Sequence, residues 1–363
     1  MQQSSSGKIW VRLKKNAGAL FGLIIIVLAV VVSIFGYFIA PDSSSNADLQ
    51  TVEIQAKKPG YTQLFLKIPD KKDNTSWFTQ LLSGKKNEYH YLPITKYTIS
   101  NDTLIVNKLI DEDTTVELHY SINSLTNNQP KNLIAENIIT KKYLLGSDKF
   151  GRDILSRLII GTRVSLAVGL IAVLISLTLG IILGAIAGYF KGWVDKLVMW
   201  LVNVTWSIPT LLLVFAITMA MGKGFWQIFI AVGLTMWVSV ARLVRGQVMA
   251  VKELEFIEAS KALGFTDFRI IVKHILPNIL GPIMVIAASN FATAIIIEAG
   301  LSFLGIGVQP PQPSWGLMIK ENYNFIITHN PMLALVPGFT IMLLVLAFNL
   351  LGNGLRDAMD IKN

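Results

Sequence analysis

The sequence predicts an all-α polytopic membrane protein: six transmembrane helices, both termini inside (N-in/C-in), and a β-rich insert between the first and second helix. Three observations predict it. Only 15% of the 363 residues are charged and 52% are hydrophobic, whereas soluble domains carry about 25% charged residues. The apolar residues are gathered into runs of about 20, the length that crosses a bilayer. One polar stretch, 42–145, interrupts those runs. The implied organisation is a cytoplasmic tail with the first helix (1–41), an extracytoplasmic insert (42–145) and a five-helix core (146–363).

The first run, Asn16–Pro41, carries no charge and includes Leu23–Ile34. It is longer than the roughly 7–15 residues of a signal h-region and closes Phe38-Ile39-Ala40-Pro41, not in a small-x-small site, so it reads as a retained helix. Val164–Phe190, Leu197–Gly222, Gly224–Ala241 and Asn322–Leu355 are four further uncharged runs, and Ile275–Ile306 is a fifth, broken by Glu298. Ahead of the second run, Ile154, Leu155, Leu158 and Ile159 share one helical face while Arg152, Asp153 and Ser156 fall on others. That pattern suits an amphipathic helix at the membrane surface, acting as a plain anchor or in gating or partner docking.

Lys and Arg near the helix ends set the orientation. Lys8, Arg12, Lys14 and Lys15 hold the N-terminus in the cytoplasm. Alternation then places Arg242, Arg245, Lys252, Lys261, Arg269 and Lys273 inside, with Arg356 and Lys362 of the C-terminus, and leaves Lys223 and Lys320 outside. The insert lies outside as well; long loops translocate regardless of charge. Within it, Thr115–Tyr120 alternates as a half-buried strand does, Thr62–Ile68 less cleanly. Tyr97–Ile99 and Leu104–Val106 flank Ser100-Asn101-Asp102-Thr103 as a hairpin. The insert reads as a structural cap, or as a surface for substrate or a partner. His90 and His119 stand without the clustered ligands of a metal site.

The net charge of +9 flanks apolar runs and forms no aromatic-interleaved stripe, so nucleic acid is not an expected partner. Cysteine is absent, which excludes disulfides and thiolate sites. No G-x-x-x-x-G-K-[ST] phosphate loop, H-E-x-x-H or G-x-S-x-G in a strand–turn–helix setting occurs, so the chain is not expected to be an enzyme or to bind a cofactor itself.

The most informative stretch is 252–277. Glu258-Ala259-Ser260-Lys261-Ala262-Leu263 favours helix, with small side chains that allow another surface to approach. Gly264 suits a left-handed cap, Thr266 an N-cap with Asp267 in the first turn, and Pro277 the first turn of the fifth span. A short helix, a sharp turn and a second helix entering the membrane make a compact cytoplasmic knob. Glu258-Ala259-Ser260, then Gly264, then Leu276-Pro277, resembles the "EAA" loop of membrane subunits of binding-protein-dependent ABC importers; Ser260 replaces the usual Ala, and His274 a branched aliphatic. The segments 145–157, 187–192, 241–246, 298–311, 313–316, 347–352 and 354–357 resemble the dipeptide/oligopeptide/nickel branch of that family; the insert does not.

The resemblance implies a type I ABC importer permease bundle in the bacterial inner membrane, with loop 245–277 as the coupling element. It implies a homologous second permease, two cytoplasmic ATPase subunits that bind ATP and Mg, and an extracytoplasmic substrate-binding protein as partners. Peptides are the expected substrate, nickel complexes the alternative. In such a subunit Glu258 contacts the ATPase or caps the coupling helix, Ala259 allows close packing and Gly264 makes the turn. Glu298, with Ser302 and Trp315, is a candidate for the pathway or gate. Glu298 is placed about 21 residues past Pro277, roughly 30 Å along a helix and near the outer surface, where a carboxylate is cheap; a gate role and a structural bond near Gly300 and Ser302 both stand. Gly180, Gly184 and Gly188 form a small-xxx-small series for helix packing, and Pro209, Pro282 and Pro337 are expected to kink spans. A secondary transporter or channel is the rival reading, but such carriers place several ionisable groups in mid-membrane. A membrane sensor is another, which five helices after the insert and the EAA-like loop do not suit.

Overall fold

The computed structural model describes residues 5–70, 76–85, 87–100, 103–111, 113–122, 137–222, 224–327 and 330–359, with side chains from Trp10 onward. Asn101 and Asp102 of the expected hairpin turn, Lys223 and Lys362 lie outside the described residues. Contacts divide the chain into two compact units: Met1–Val30, Val164–Gln309 and Phe339–Asn363 in one, Val31–Arg163 and Pro310–Gly338 in the other.

Five described helices are long and apolar enough to cross a membrane: Ala17–Ile39, Ile154–Phe190, Phe225–Lys252, Leu280–Phe303 and Met332–Met359. The expected span over Leu197–Gly222 is divided instead. Helices Gly192–Trp206 and Thr210–Met221 meet at 92°. Pro209 has no N–H to donate and its ring disfavours helical backbone at the residue before it, so the chain turns at Ser207-Ile208-Pro209. The last span also begins later than Asn322. Ser314 caps a separate helix, Trp315–Asn322, accepting from Leu317 N at 3.2 Å, and a 3-10 turn over Tyr323–Ile326 follows it.

In chain order we name the helices α1 (Ser5–Lys15), α2 (Ala17–Ile39), α3 (Trp77–Ser83), α4 (Ile154–Phe190), α5 (Gly192–Trp206), α6 (Thr210–Met221), α7 (Phe225–Lys252), α8 (Glu255–Ala262), α9 (Asp267–Ile270), α10 (Leu280–Phe303), α11 (Trp315–Asn322) and α12 (Met332–Met359).

The first unit is helical. One apolar core joins Val168 and Ala172 of α4, Val214 of α6, Phe229 and Val232 of α7 and Ala294, Ile297 and Leu301 of α10. A second joins Tyr189, Val244 and Val248 to Ile257, Ile270, Ile275 and Ile279 of the loop that follows α7. Lipid tails are as apolar as leucine, so helices associate through close van der Waals contact, which small residues allow. The glycine series on α4 does this. A Cβ at Gly180 would stand 2.4 Å from Val240 Cβ, at Gly184 2.5 Å from the Ala241 carbonyl oxygen, and at Gly188 2.7 Å from that of Arg245. The same device joins α2 to α12: a Cβ at Gly22 would meet the Ala347 carbonyl oxygen at 2.4 Å.

The second unit contains a five-stranded antiparallel sheet in the order β4-β3-β2-β1-β5, made of β1 (Tyr61–Pro69), β2 (Tyr89–Ser100), β3 (Thr103–Leu109), β4 (Thr115–Ser121) and β5 (Ile138–Tyr143). The expected hairpin pairs Ile99 with Leu104 and Ser100 with Thr103. Alternation sends Leu66, Leu92, Ile94, Leu104 and Val106 to one face and Phe65, Leu109 and Tyr143 to the other. Both faces are therefore partly covered, which weakens the polar–apolar alternation that marks one-sided strands.

Gly184→Val is expected to destabilise the chain by about 1–3 kcal/mol or more, because the new side chain meets backbone that cannot yield. Gly246→Ala on α7, with open space where its Cβ would go, is expected to be neutral or slightly stabilising. Thermal unfolding of the purified full chain in detergent reads both.

Candidate coupling site

The loop after α7 folds as its residues dictate. Leu254 N bonds to Val251 O at 3.1 Å, ending α7, and α8 begins at once. Gly264 then adopts φ +77°, a left-handed conformation that glycine enters without steric cost. Its N–H donates to Lys261 O at 2.9 Å, and Phe265 N–H to Ser260 O at 3.2 Å, the paired bonds of a Schellman cap. Thr266 caps α9, its hydroxyl accepting from Arg269 N at 3.4 Å. A π-helical turn over Ile271–Ile275 and a single helical turn over Leu276–Asn278, with Pro277 in its first turn, lead into α10.

The residues singled out in sequence divide between two faces. Ile257 and Ser260 turn inward, and the Ser260 hydroxyl donates to Phe256 O at 2.7 Å; Ser260 is thus not on the approachable face. Leu276 packs partly against the Tyr189 core. Glu258, Ala259, Ala262 and Pro277 are exposed, and so are Leu263 (73%) and Phe268 (77%). The Glu258 carboxylate makes no hydrogen bond or ion pair among the described residues, and α8 has no side-chain N-cap. Glu258 is therefore presented outward and does not cap the helix.

Contacts that the sequence does not predict fix this loop to the membrane helices. The Tyr189 hydroxyl, one residue from the end of α4, donates to Asp267 Oδ1 at 2.5 Å. Lys252 Nζ donates to Tyr189 O at 2.6 Å, and Lys191 pairs with Glu253 at 2.7 Å. Arg245 grips Asp195 of α5 through two bonds of 2.5 and 2.6 Å, the fork geometry that suits guanidinium and carboxylate. The signal in the sequence is a tyrosine and basic residues at the helix ends, which name no partner by themselves.

Glu298 is fully buried on α10, not at a cheap surface position. Its Oε1 accepts from Ser302 Oγ at 2.7 Å, and that oxygen accepts from Val308 N at 3.0 Å. A Cβ at Gly307 would stand 2.1 Å from Ser302 Oγ. The carboxylate thereby orients a hydroxyl that holds the turn after α10.

Trp315 belongs to the other unit. It is 1% exposed and donates from Nε1 to Leu158 O at 3.0 Å, over Gly161, whose Cβ would lie 3.1 Å from the indole. In the same unit, the segment expected to lie as an amphipathic surface helix buries its polar residues. Arg152 donates to Asp148 (2.6 Å), Asp48 (3.1 Å) and Glu321 (2.7 Å). Burial opposes its charge, but Asp148 and Glu321 outweigh that and hold the pKa above its ordinary value. Arg157 stands 3.6–3.8 Å from the same three carboxylates, and its three guanidinium nitrogens make no hydrogen bond among the described residues. Asp148, four residues before Arg152, and two carboxylates from distant positions, Asp48 and Glu321, make burial of two arginines tolerable, which helical periodicity alone does not reveal. Asp153, buried near Asp42, has its carboxyl pushed up by desolvation against the pull of two Ser156 hydrogen bonds.

A family model for the inner membrane component of binding-protein-dependent transport systems matches residues 180–362, which contain the whole loop. The chain belongs to that family. A second model, for the N-terminal transmembrane domain of oligopeptide transport permease C, matches residues 4–59. This permease is 43% identical over 220 residues to the glutathione transport system permease protein GsiD of Pectobacterium atrosepticum, covering 61% of the chain and 73% of that relative. It is 45% identical over 221 residues to the dipeptide transport system permease protein DppC of Alkalihalophilus pseudofirmus, covering 61% of the chain and 72% of the relative. A solved chain of the inward-facing MetNI methionine ABC transporter aligns at 20% identity and TM-score 0.48, over 57% of the permease and 98% of that chain.

Tyr189→Phe is expected to free α9 from α4 at a cost of about 1.5–3 kcal/mol, that of a hydrogen bond to a charged group. Hydrogen exchange over residues 265–270 should accelerate at least about tenfold. Arg152→Met is expected to cost about 3–5 kcal/mol, since it leaves buried carboxylates unpaired, and Arg157→Met less, since the Arg157 guanidinium makes no hydrogen bond among the described residues. Thermal unfolding of both variants checks the order.

Proposed function

We propose that this permease forms one half of the translocation pathway of an ATP-driven importer for small peptides, coupled to cytoplasmic ATPase subunits through residues 252–277. The observation that carries the proposal is an exposed apolar knob on rigid supports. Leu254, Phe256, Leu263 and Phe268 are each exposed in the same short loop as exposed Ala259 and Ala262, and the loop is bound at Tyr189 to one membrane helix and continuous with two others. Exposed apolar clusters of this kind mark interaction surfaces. A knob this firmly attached transmits a push into the helices and does not flex.

The topology we propose is six spans with both termini in the cytoplasm, counting α5 and α6 as one bent span; the knob is then cytoplasmic and the sheet extracytoplasmic. A homologous second permease completes the pathway, two ATPase subunits bind ATP and Mg, and a separate extracytoplasmic protein delivers the substrate. Relatives named for glutathione and dipeptide transport favour peptides over nickel complexes. ATP drives transport only because the assembled subunits bind it better in one global arrangement than in the other. Glu298, Ser302 and Trp315 hold the turns and helices around the pathway in this reading.

Gly264→Val forces a branched side chain into left-handed backbone, strained by about 1–2 kcal/mol, and Glu258→Lys reverses the charge of the outward face. Both are expected to abolish peptide uptake by the transporter reconstituted in liposomes, while membrane insertion and the ATPase activity of the partner subunits persist. Normal uptake with either variant would refute the coupling role.

A further inference from the structure

Helix α3 is short, apolar on one side and exposed. With about 100° per residue, Trp77, Leu81, Phe78 and Leu82 occupy one side of the helix, and Thr79, Ser83 and Gln80 the other. The apolar side is not buried in the sheet: Trp77 is 70% exposed, Phe78 56% and Leu82 53%. No charge in α3 opposes entering an apolar phase.

The end of α3 is fixed at the end of the first span. Gly84, which follows α3, packs so closely on Tyr37 of α2 that a Cβ would stand 2.8 Å from the ring and 2.9 Å from Ser43 O. Lys85 N donates to Ser43 O at 2.8 Å, and Ser43 lies four residues beyond the last residue of α2. Arg163 of α4 donates to Leu82 O at 3.2 Å and lies over the Tyr37 ring at 5.0 Å. Seven helical residues reach about 10 Å, so Trp77 stays close to this level. On α2 the same level carries exposed Phe35, Phe38 and Ile39.

We propose that Trp77, Phe78 and Leu82 insert into the phospholipid interface at the C-terminal end of the first span, making α3 a membrane anchor for the sheet. Tryptophan and phenylalanine beside a cationic lysine are the side chains that settle between headgroups and acyl chains. The anchor extends the exposed apolar face of α2 sideways, and it holds the start of β2 near the bilayer. On the topology proposed above, the leaflet is the outer one.

The chain has no cysteine, so Trp77→Cys, Phe78→Cys, Leu82→Cys and the control Thr79→Cys each create a single labelling site. Nitroxide labels at these positions, in the assembled transporter in phosphatidylethanolamine–phosphatidylglycerol nanodiscs, report accessibility to oxygen and to a water-soluble nickel chelate. The expected result is oxygen access well above nickel access at 77, 78 and 82, reversed at 79. High nickel access at all four would overturn the anchor, as would exclusion of both reagents from 77, 78 and 82, which would mean a protein covers the face. Labels at Phe35→Cys and Phe38→Cys separate the two ideas: water there too would overturn the membrane placement of α2 itself, whereas lipid there with water at α3 overturns only the anchor.

Discussion

The permease depends on the close approach of α4 to α7. Without Cβ atoms at Gly180, Gly184 and Gly188, the backbone of α4 comes within contact of Val240, Ala241, Arg245 and Val248. Nothing in lipid drives two apolar helices together as water does, so the gain comes from dispersion over a close, well-fitted surface. Both helices also serve the loop. Tyr189, which follows Gly188 directly, holds Asp267; the last residue of α7 is Lys252, whose amine holds the Tyr189 carbonyl. The packing that positions two helices therefore also positions the loop that follows α7.

The other unit depends on charge. Asp48, Asp148 and Glu321 come from the segment after the first span, the approach to the second and helix α11, and two arginines draw them together. Replacing such a cluster with apolar side chains is often neutral or stabilising, whereas removing a single member is costly. What the cluster supplies is registry: the bonds of Arg152 specify which three segments meet. Trp315 adds a directional bond to the same helix end. The turn after α10 is held in the same manner, by a buried carboxylate acting through a hydroxyl.

Much of the candidate loop was legible in the sequence because its signals are local. Gly264 takes the positive φ that favours glycine, Thr266 caps as its hydroxyl predicts, and Pro277 occupies a first turn where no N–H is needed. The inward turn of Ser260 was not legible, since a small side chain fits either face of a helix and only the packing of Ile257 and Ile270 selects one. The 92° bend at Pro209 was legible as a kink but not as an angle, because proline removes a bond and leaves the direction of the break to the packing around it. Strand β5, Ile-Ile-Thr-Lys-Lys-Tyr, was missed because Lys141 and Lys142 break the alternation.

By itself the sequence determined the apolar lengths, the turns and caps of the loop, and the small-residue face of α4, each of which depends on neighbours within a few residues. Only the tertiary structure decided that Arg152 and Arg157 are buried among three carboxylates, that Glu298 is enclosed, and that Tyr189 reaches Asp267. The burial of both arginines and the Tyr189–Asp267 bond depend on groups tens to hundreds of residues apart in the chain, and the enclosure of Glu298 depends on how its helix packs, which its local partner Ser302 does not reveal. A charged residue looks the same in sequence whether water or a distant carboxylate compensates it.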